Sequence, residues 1–97
     1  MKRILALSLA LLLAALQPAA AACYADYKAK KDGGALKLHY GVVQISGGAC
    51  KNPGRAEQEV REKVARGGWT VLTVLSVFDE SGLDKRRQSA AEFFLRF

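Results

Sequence analysis

The chain has 97 residues, 51% of them hydrophobic, and carries 15 lysines and arginines against 9 acidic residues for a net charge of +6. That length excludes a multidomain enzyme and a multi-spanning membrane protein, and the composition excludes a disordered acidic tail. One small domain is the most that remains once the opening segment is set aside.

Met1-Lys2-Arg3 forms a positive start, Ile4 to Leu16 is free of charge, and Gln17-Pro18 breaks the apolar run before Ala19 to Ala22. This is the pattern of a secretory signal peptide, and the run is shorter than the roughly 20 residues that span a bilayer core. Small residues at minus three and minus one place cleavage after Ala21 or after Ala22. The domain expectation is a leader over residues 1–22 and a single folded unit over 23–97, whose net charge is +4. Export, with a periplasmic destination, follows from that leader.

Cleavage after Ala22 makes Cys23 the first residue, which leaves two uses for it. It can pair with Cys50, since an exported chain with an even cysteine count most simply forms a disulfide. It can instead be acylated as a membrane-tethered lipoprotein, although Ala20 stands where a lipobox usually carries leucine. A bridge closing nearly thirty residues is worth roughly 3 to 4 kcal/mol by loop entropy, comparable with the stability of so small a domain.

Tyr24 to Lys30 alternates, Lys31-Asp32-Gly33-Gly34 supplies a turn, and Leu36 to Ile45 alternates again, so a β-hairpin is expected. A turn centred on Gly33-Gly34 pairs Cys23 with Gln44, and Ser46-Gly47-Gly48-Ala49 then brings Cys50 back toward Cys23. Asn52-Pro53 is an N-cap followed by a first helical position, and the helix is expected over Pro53 to Arg66 with Ala56, Val60 and Val64 as its apolar stripe. Glu57/Arg61, Glu59/Lys63 and Glu62/Arg66 are favourable i, i+4 pairs, and Gly67-Gly68 ends the helix. Trp69 to Phe78 is the strongest strand and is expected at the centre of the sheet. Asp79 to Gly82 breaks it, a turn or short helix follows through Gln88, and Glu92 to Phe97 reads as a closing strand. The fold class is therefore α+β: a ββαββ chain with a four-stranded, mostly antiparallel sheet, one main helix on one face, and a short second helix before the last strand.

Tyr24-Ala25-Asp26-Tyr27-Lys28, the Gly68-Trp69-Thr70-Val71-Leu72 opener and the terminal Phe93-Phe94-Leu95-Arg96-Phe97 together resemble an uncharacterised group of small bacterial domains built as a strand, a helix and a strand pair opened by Gly-Trp. The resemblance implies a fold and neither an activity nor site residues. The long second strand, the cysteine pair and the leader depart from it.

Catalytic signals are sparse. His39 is the only histidine, so a His-based triad or multi-His metal site cannot be assembled within one chain, and no metal or cofactor is expected. Asp79 and Glu80 are adjacent strand-end carboxylates that point apart, and the glycine pairs lack the context of a phosphate loop. Surface features remain. Trp69, Val71, Leu75 and Val77 are expected on one face of the third strand and Leu72, Val74 and Phe78 on the other, where a single thin-striped helix leaves them uncovered as a candidate interface. Lys28, Lys30 and Lys31 near the first turn and Lys85, Arg86 and Arg87 after the break carry much of the excess positive charge; the latter three form a candidate anion-binding run, and export directs this charge toward anionic envelope polymers or lipid head groups rather than nucleic acid. The functional expectation is a small, non-enzymatic binding module of the cell envelope whose partner is a second copy or an envelope protein. The alternatives are the lipoprotein tethered through Cys23, and a small ligand carrier or hydrolase using His39 and Tyr40.

Overall fold

The computed structural model describes residues 22–97, so the expected leader lies, apart from Ala22, outside the described residues. In chain order the elements are β1 (Cys23–Lys31), β2 (Lys37–Ile45), a 3-10 turn (Gly47–Ala49), α1 (Pro53–Ala65), β3 (Thr70–Phe78), a 3-10 turn (Glu80–Gly82), α2 (Asp84–Ala90) and a last 3-10 turn (Ala91–Phe93). The α+β class is as expected, with a three-stranded antiparallel sheet and two helices.

The hairpin forms with a register one residue from that expected: Cys23 lies opposite Ile45, not Gln44. The cause is the loop, which spans residues 32–36 around Gly33 and Gly34, both at positive φ, instead of a two-residue turn. This register pairs Cys23, Ala25, Tyr27 and Ala29 with Ile45, Val43, Gly41 and His39. Directly opposed residues share a face, so the shift keeps apolar with apolar.

The strand order is β2-β1-β3, which corrects the expectation that Trp69 to Phe78 is central. A single helical crossover returns β3 in the same direction as β2. It can therefore extend the sheet antiparallel only on the free edge of β1, and β1 becomes the middle strand. Two register shifts, between Asp26 and Tyr27 and between Lys28 and Ala29, mark irregularities in the β1/β3 pairing.

Helix α1 begins as read, with the Asn52 side chain accepting from the Arg55 N–H at 3.2 Å and Pro53 at the first position. Ala56, Val60 and Val64 pack on Cys23, Ala25, Tyr27, Ala29, Val43, Ile45 and Val71. Of the expected helix pairs, Arg61 bonds Glu57 at 2.7 Å. Glu59 turns to the end of β2 instead, accepting from the Ser46 hydroxyl at 2.8 Å, and Lys63 donates to the Gln44 carbonyl at 2.6 Å. These contacts convert solvent-facing charges into ties between helix and sheet.

The opposite face is partly closed by α2 and the C-terminal residues, with Ala90, Leu83 and Phe94 against Tyr24, Tyr40, Val42 and Phe78. No fourth strand is present among the described residues. Glu92 to Phe97 instead makes a 3-10 turn and a single parallel bridge, Val42 to Phe94, with the Leu95 N–H donating to the Val42 carbonyl at 2.9 Å. Positive φ at Ala91 and Leu95 interrupts the extended run. The kinked tail straddles β2, with Phe93 and Phe97 beside His39 on the α1 side and Phe94 on the α2 side.

Cys23 and Cys50 are bonded, with Cα atoms 5.8 Å apart and a sequence separation of 27. The sheet, both helices, the bridge and both apolar clusters as described lie within residues 22–97, so this segment carries a core. Replacing both cysteines by serine is expected to lower the unfolding free energy in urea by about 3 to 4 kcal/mol. An unchanged denaturation midpoint would show that the bridge adds nothing beyond the packing.

Candidate functional site

Three groupings of side chains stand out from the packing. The first is a polar cluster beneath α2. Asp26 is the one buried charged residue of the described chain, placed there by the alternation of central strand β1. Its Oδ2 accepts from the Tyr40 hydroxyl at 2.8 Å and from Arg86 Nε at 3.0 Å, and its Oδ1 from the Ser76 hydroxyl at 2.6 Å. Arg86 also donates to the Gly82 carbonyl at 2.7 Å and lies 3.9 Å over the Phe78 ring. Gly82 is required here for space, because a Cβ would come within 2.7 Å of Phe78 and 2.8 Å of Arg86. Burial pushes the Asp26 carboxyl up, but the hydrogen bonds from Ser76, Tyr40 and Arg86 together with the Arg86 charge outweigh it and hold the group below its ordinary value. The Tyr40 hydroxyl is pushed up to about 12 by burial and by Asp26. The cluster is an internally neutralised ion pair with its main donors engaged, the arrangement of a structural clamp.

The second grouping surrounds His39 on the α1 face at the edge of β2. Its ring stacks on Phe93 at 3.7 Å between centroids and meets Trp69 edge-on at 4.2 Å. Nε2 shares a 2.9 Å hydrogen bond with the Tyr27 hydroxyl, while Nδ1 is buried with no partner among the described residues. The Tyr27 ring occupies the space above Gly41, where a Cβ would meet its hydroxyl. Burial lowers the His39 pKa; Glu92 opposes this and Arg96 adds to it. A charged imidazole would leave a buried N–H without an acceptor, which fits the direction of the shift. His39 and Tyr40 bond different partners, Tyr27 and Asp26, yet both border one concavity of about 330 Å³ together with Lys28, Ala29, Leu38 and Leu72.

The third is the outer edge of β3. Thr70 to Phe78 contains no charged residue and no proline. Leu72 and Leu75 are 49% and 47% exposed. A groove of about 440 Å³ runs between this edge and the start of α1, lined among others by Pro53, Ala56, Glu57, Val74 and Leu75.

The candidate interface is not one face. Leu72 is exposed, whereas Val74 packs against the α1 cluster and Phe78 against the α2 cluster, because the register shifts in β1/β3 break the simple alternation. The basic run is also divided. Arg86 is the Asp26 partner, Arg87 lies 4.5 Å over Phe94 with Asp84 beside it, and Lys85 is exposed without a charged partner among the described residues. The Asp26 clamp was not legible from spacing, since its partner lies 60 positions away; the only signal was a lone acidic residue inside the apolar first strand. Among the described residues no group of three metal-ligating side chains converges. No known protein family, curated protein or solved structure matches this chain.

The two clusters give stability opposite reasons to fall with acid. The neutral, low-pKa His39 contributes fully above its ordinary value of 6.5, and that contribution shrinks as the pH falls below it because the unfolded chain takes up the proton first. Asp26 contributes fully above 3.8 and loses its share as the pH falls toward its lower folded value. Urea titrations across pH 3 to 8 are expected to show both phases. His39→Gln removes the upper one, and Asp26→Ala costs roughly 3 to 5 kcal/mol at neutral pH by stranding Arg86. Retention of the upper phase in His39→Gln would assign it elsewhere.

Proposed function

We propose that the protein is a small exported, disulfide-bonded, non-enzymatic module of the cell envelope that acts by contact, and that the outer edge of β3 is its contact surface. The observation that carries this reading is that edge itself: nine residues without charge or proline, with two half-exposed leucines beside a groove. Soluble proteins ordinarily protect a free edge with lysine, proline or a covering element. Here the main tie is the Arg61 guanidinium, which donates to the Val71 carbonyl at 2.7 Å near one end.

The occupant is a second copy. Antiparallel pairing of β3 with its own symmetry mate opposes only neutral side chains, so no like charges meet, and it continues the sheet from three strands to six. Export is supported by the pattern of residues 1–22, and a bridge suits an oxidising compartment. The bridge also bears on the tethered alternative, since a sulfur bonded to Cys50 is not available for acylation. The carrier or hydrolase alternative is disfavoured because the His39 and Tyr40 polar atoms are already engaged, by the Tyr27 hydroxyl and by Asp26.

Light scattering after size exclusion, over a series from micromolar to millimolar, is expected to show a monomer converting to a dimer. Leu75→Glu, at a half-exposed position, is expected to leave the melting temperature nearly unchanged and to abolish the dimer. A protein that stays monomeric throughout the series overturns self-association through β3.

A further inference from the structure

The half of the sheet not covered by α2 ends at the hairpin loop, and its composition differs from the rest of the surface. Leu36 and Leu38 are 62% and 66% exposed, the highest of the large apolar side chains described. Leu38 and Leu72 border a shallow concavity of about 330 Å³ with Lys28 and Tyr40. Residues 28–38 hold four lysines, Lys28, Lys30, Lys31 and Lys37, against the single acidic Asp32. Three of the four excess positive charges of residues 23–97 thus sit in this one hairpin end. Lys31 lies 5.0 Å over the Trp69 ring, and Lys30 makes only an exposed 3.6 Å contact with Asp32, so neither lysine is neutralised in a buried pair.

We infer that this hairpin end docks on the surface of an anionic lipid bilayer. Exposed leucines at the hairpin end, interleaved in sequence with lysines, match a partner that is negatively charged at its boundary and apolar immediately beneath. A soluble polyanion has no use for the leucines, and a neutral protein surface has none for the lysines. The contact is peripheral: among the described residues no helix is long and apolar enough to cross a membrane. The opposite end of the same sheet face is sealed by α2 and the Asp26 clamp, which leaves this end as the accessible apolar part. This inference does not depend on β3 self-association: Leu72 borders both surfaces, but Leu36, Leu38 and the lysines belong to the β1/β2 hairpin and not to β3.

The test is sedimentation of residues 22–97, bridge intact, with vesicles of phosphatidylglycerol and phosphatidylcholine in equal parts and with phosphatidylcholine alone. Using this segment keeps the apolar run at Ile4 to Leu16 from contributing. Binding is expected to the anionic vesicles only and to weaken as salt is raised. Replacing Lys28 and Lys37 by glutamine is expected to reduce partitioning about 25-fold, since each lysine near such a surface is worth about five-fold. Leu36→Ser with Leu38→Ser is expected to reduce it at least ten-fold while leaving the melting temperature unchanged. Leu75→Glu should bind within a few-fold of the parent, which separates this surface from the β3 edge. The inference is overturned if anionic vesicles do not bind, or if binding is insensitive to the leucines, as for any polyanion, or to the lysines.

Discussion

The bond between Cys23 and Cys50 ties the first residue of the central strand to the chain just before α1, and much of the odd-numbered face follows from that tie. Among the described residues β1 is the only strand with neighbours on both sides, so whatever fixes its position fixes the sheet. With one end held, the hairpin register sets Ala25, Tyr27 and Ala29 under α1, and the small alanines let Val60 and Val64 approach closely. A domain of this size buries too little surface to rely on packing alone, which is why a cross-link at this junction has an effect disproportionate to its two side chains.

The even-numbered face is organised by a different interaction. Asp26 has been taken out of water by α2, at a desolvation cost that only a full set of donors offsets. Tyr40 from β2, Ser76 from β3 and Arg86 from α2 each contribute one, so the carboxylate joins three separate elements at a single point. An apolar residue in its place would hold α2 against the sheet without choosing where along the sheet it sits. The directional bonds of Asp26, with the Phe78 ring under the guanidinium, select one placement of a seven-residue helix too short to persist unaided.

Local chemistry made part of this legible. Asn52-Pro53 marked the helix start, Gly33-Gly34 the turn, and the parity of cysteines the bridge, because each acts through neighbours a few residues away or through simple counting. Long-range geometry did not announce itself in the same way. Trp69 to Phe78 is dense in β-branched and apolar residues, and that density suggests burial on both sides; yet chain direction, which no propensity encodes, sends it to an edge. The alternation of Phe93, Leu95 and Phe97 has the period of a strand, but the two phenylalanines are wanted by His39 and Trp69, and the backbone kinks at Ala91 and Leu95 to deliver them. The basic run Lys85 to Arg87 looked uniform and is functionally divided, since only the register of β1 reveals that Arg86 has a buried partner.

The distribution of stabilising contacts also explains where the exposed apolar area lies. The bridge, the Asp26 clamp and α2 all gather toward the Cys23 end of β1, whereas the hairpin end is held chiefly by strand pairing and by the His39 aromatic group. An end secured in this way can tolerate leucines in solvent, because the core does not depend on them. The same unevenness applies across the sheet: the outer side of β2 is engaged by the C-terminal tail through Val42, whereas on the outer side of β3 the tie among the described residues is Arg61 near its start. Surface that the fold does not use for its own stability is therefore concentrated at one edge and one end, and apolar area left in water there is retained at a cost that contact with another surface would recover.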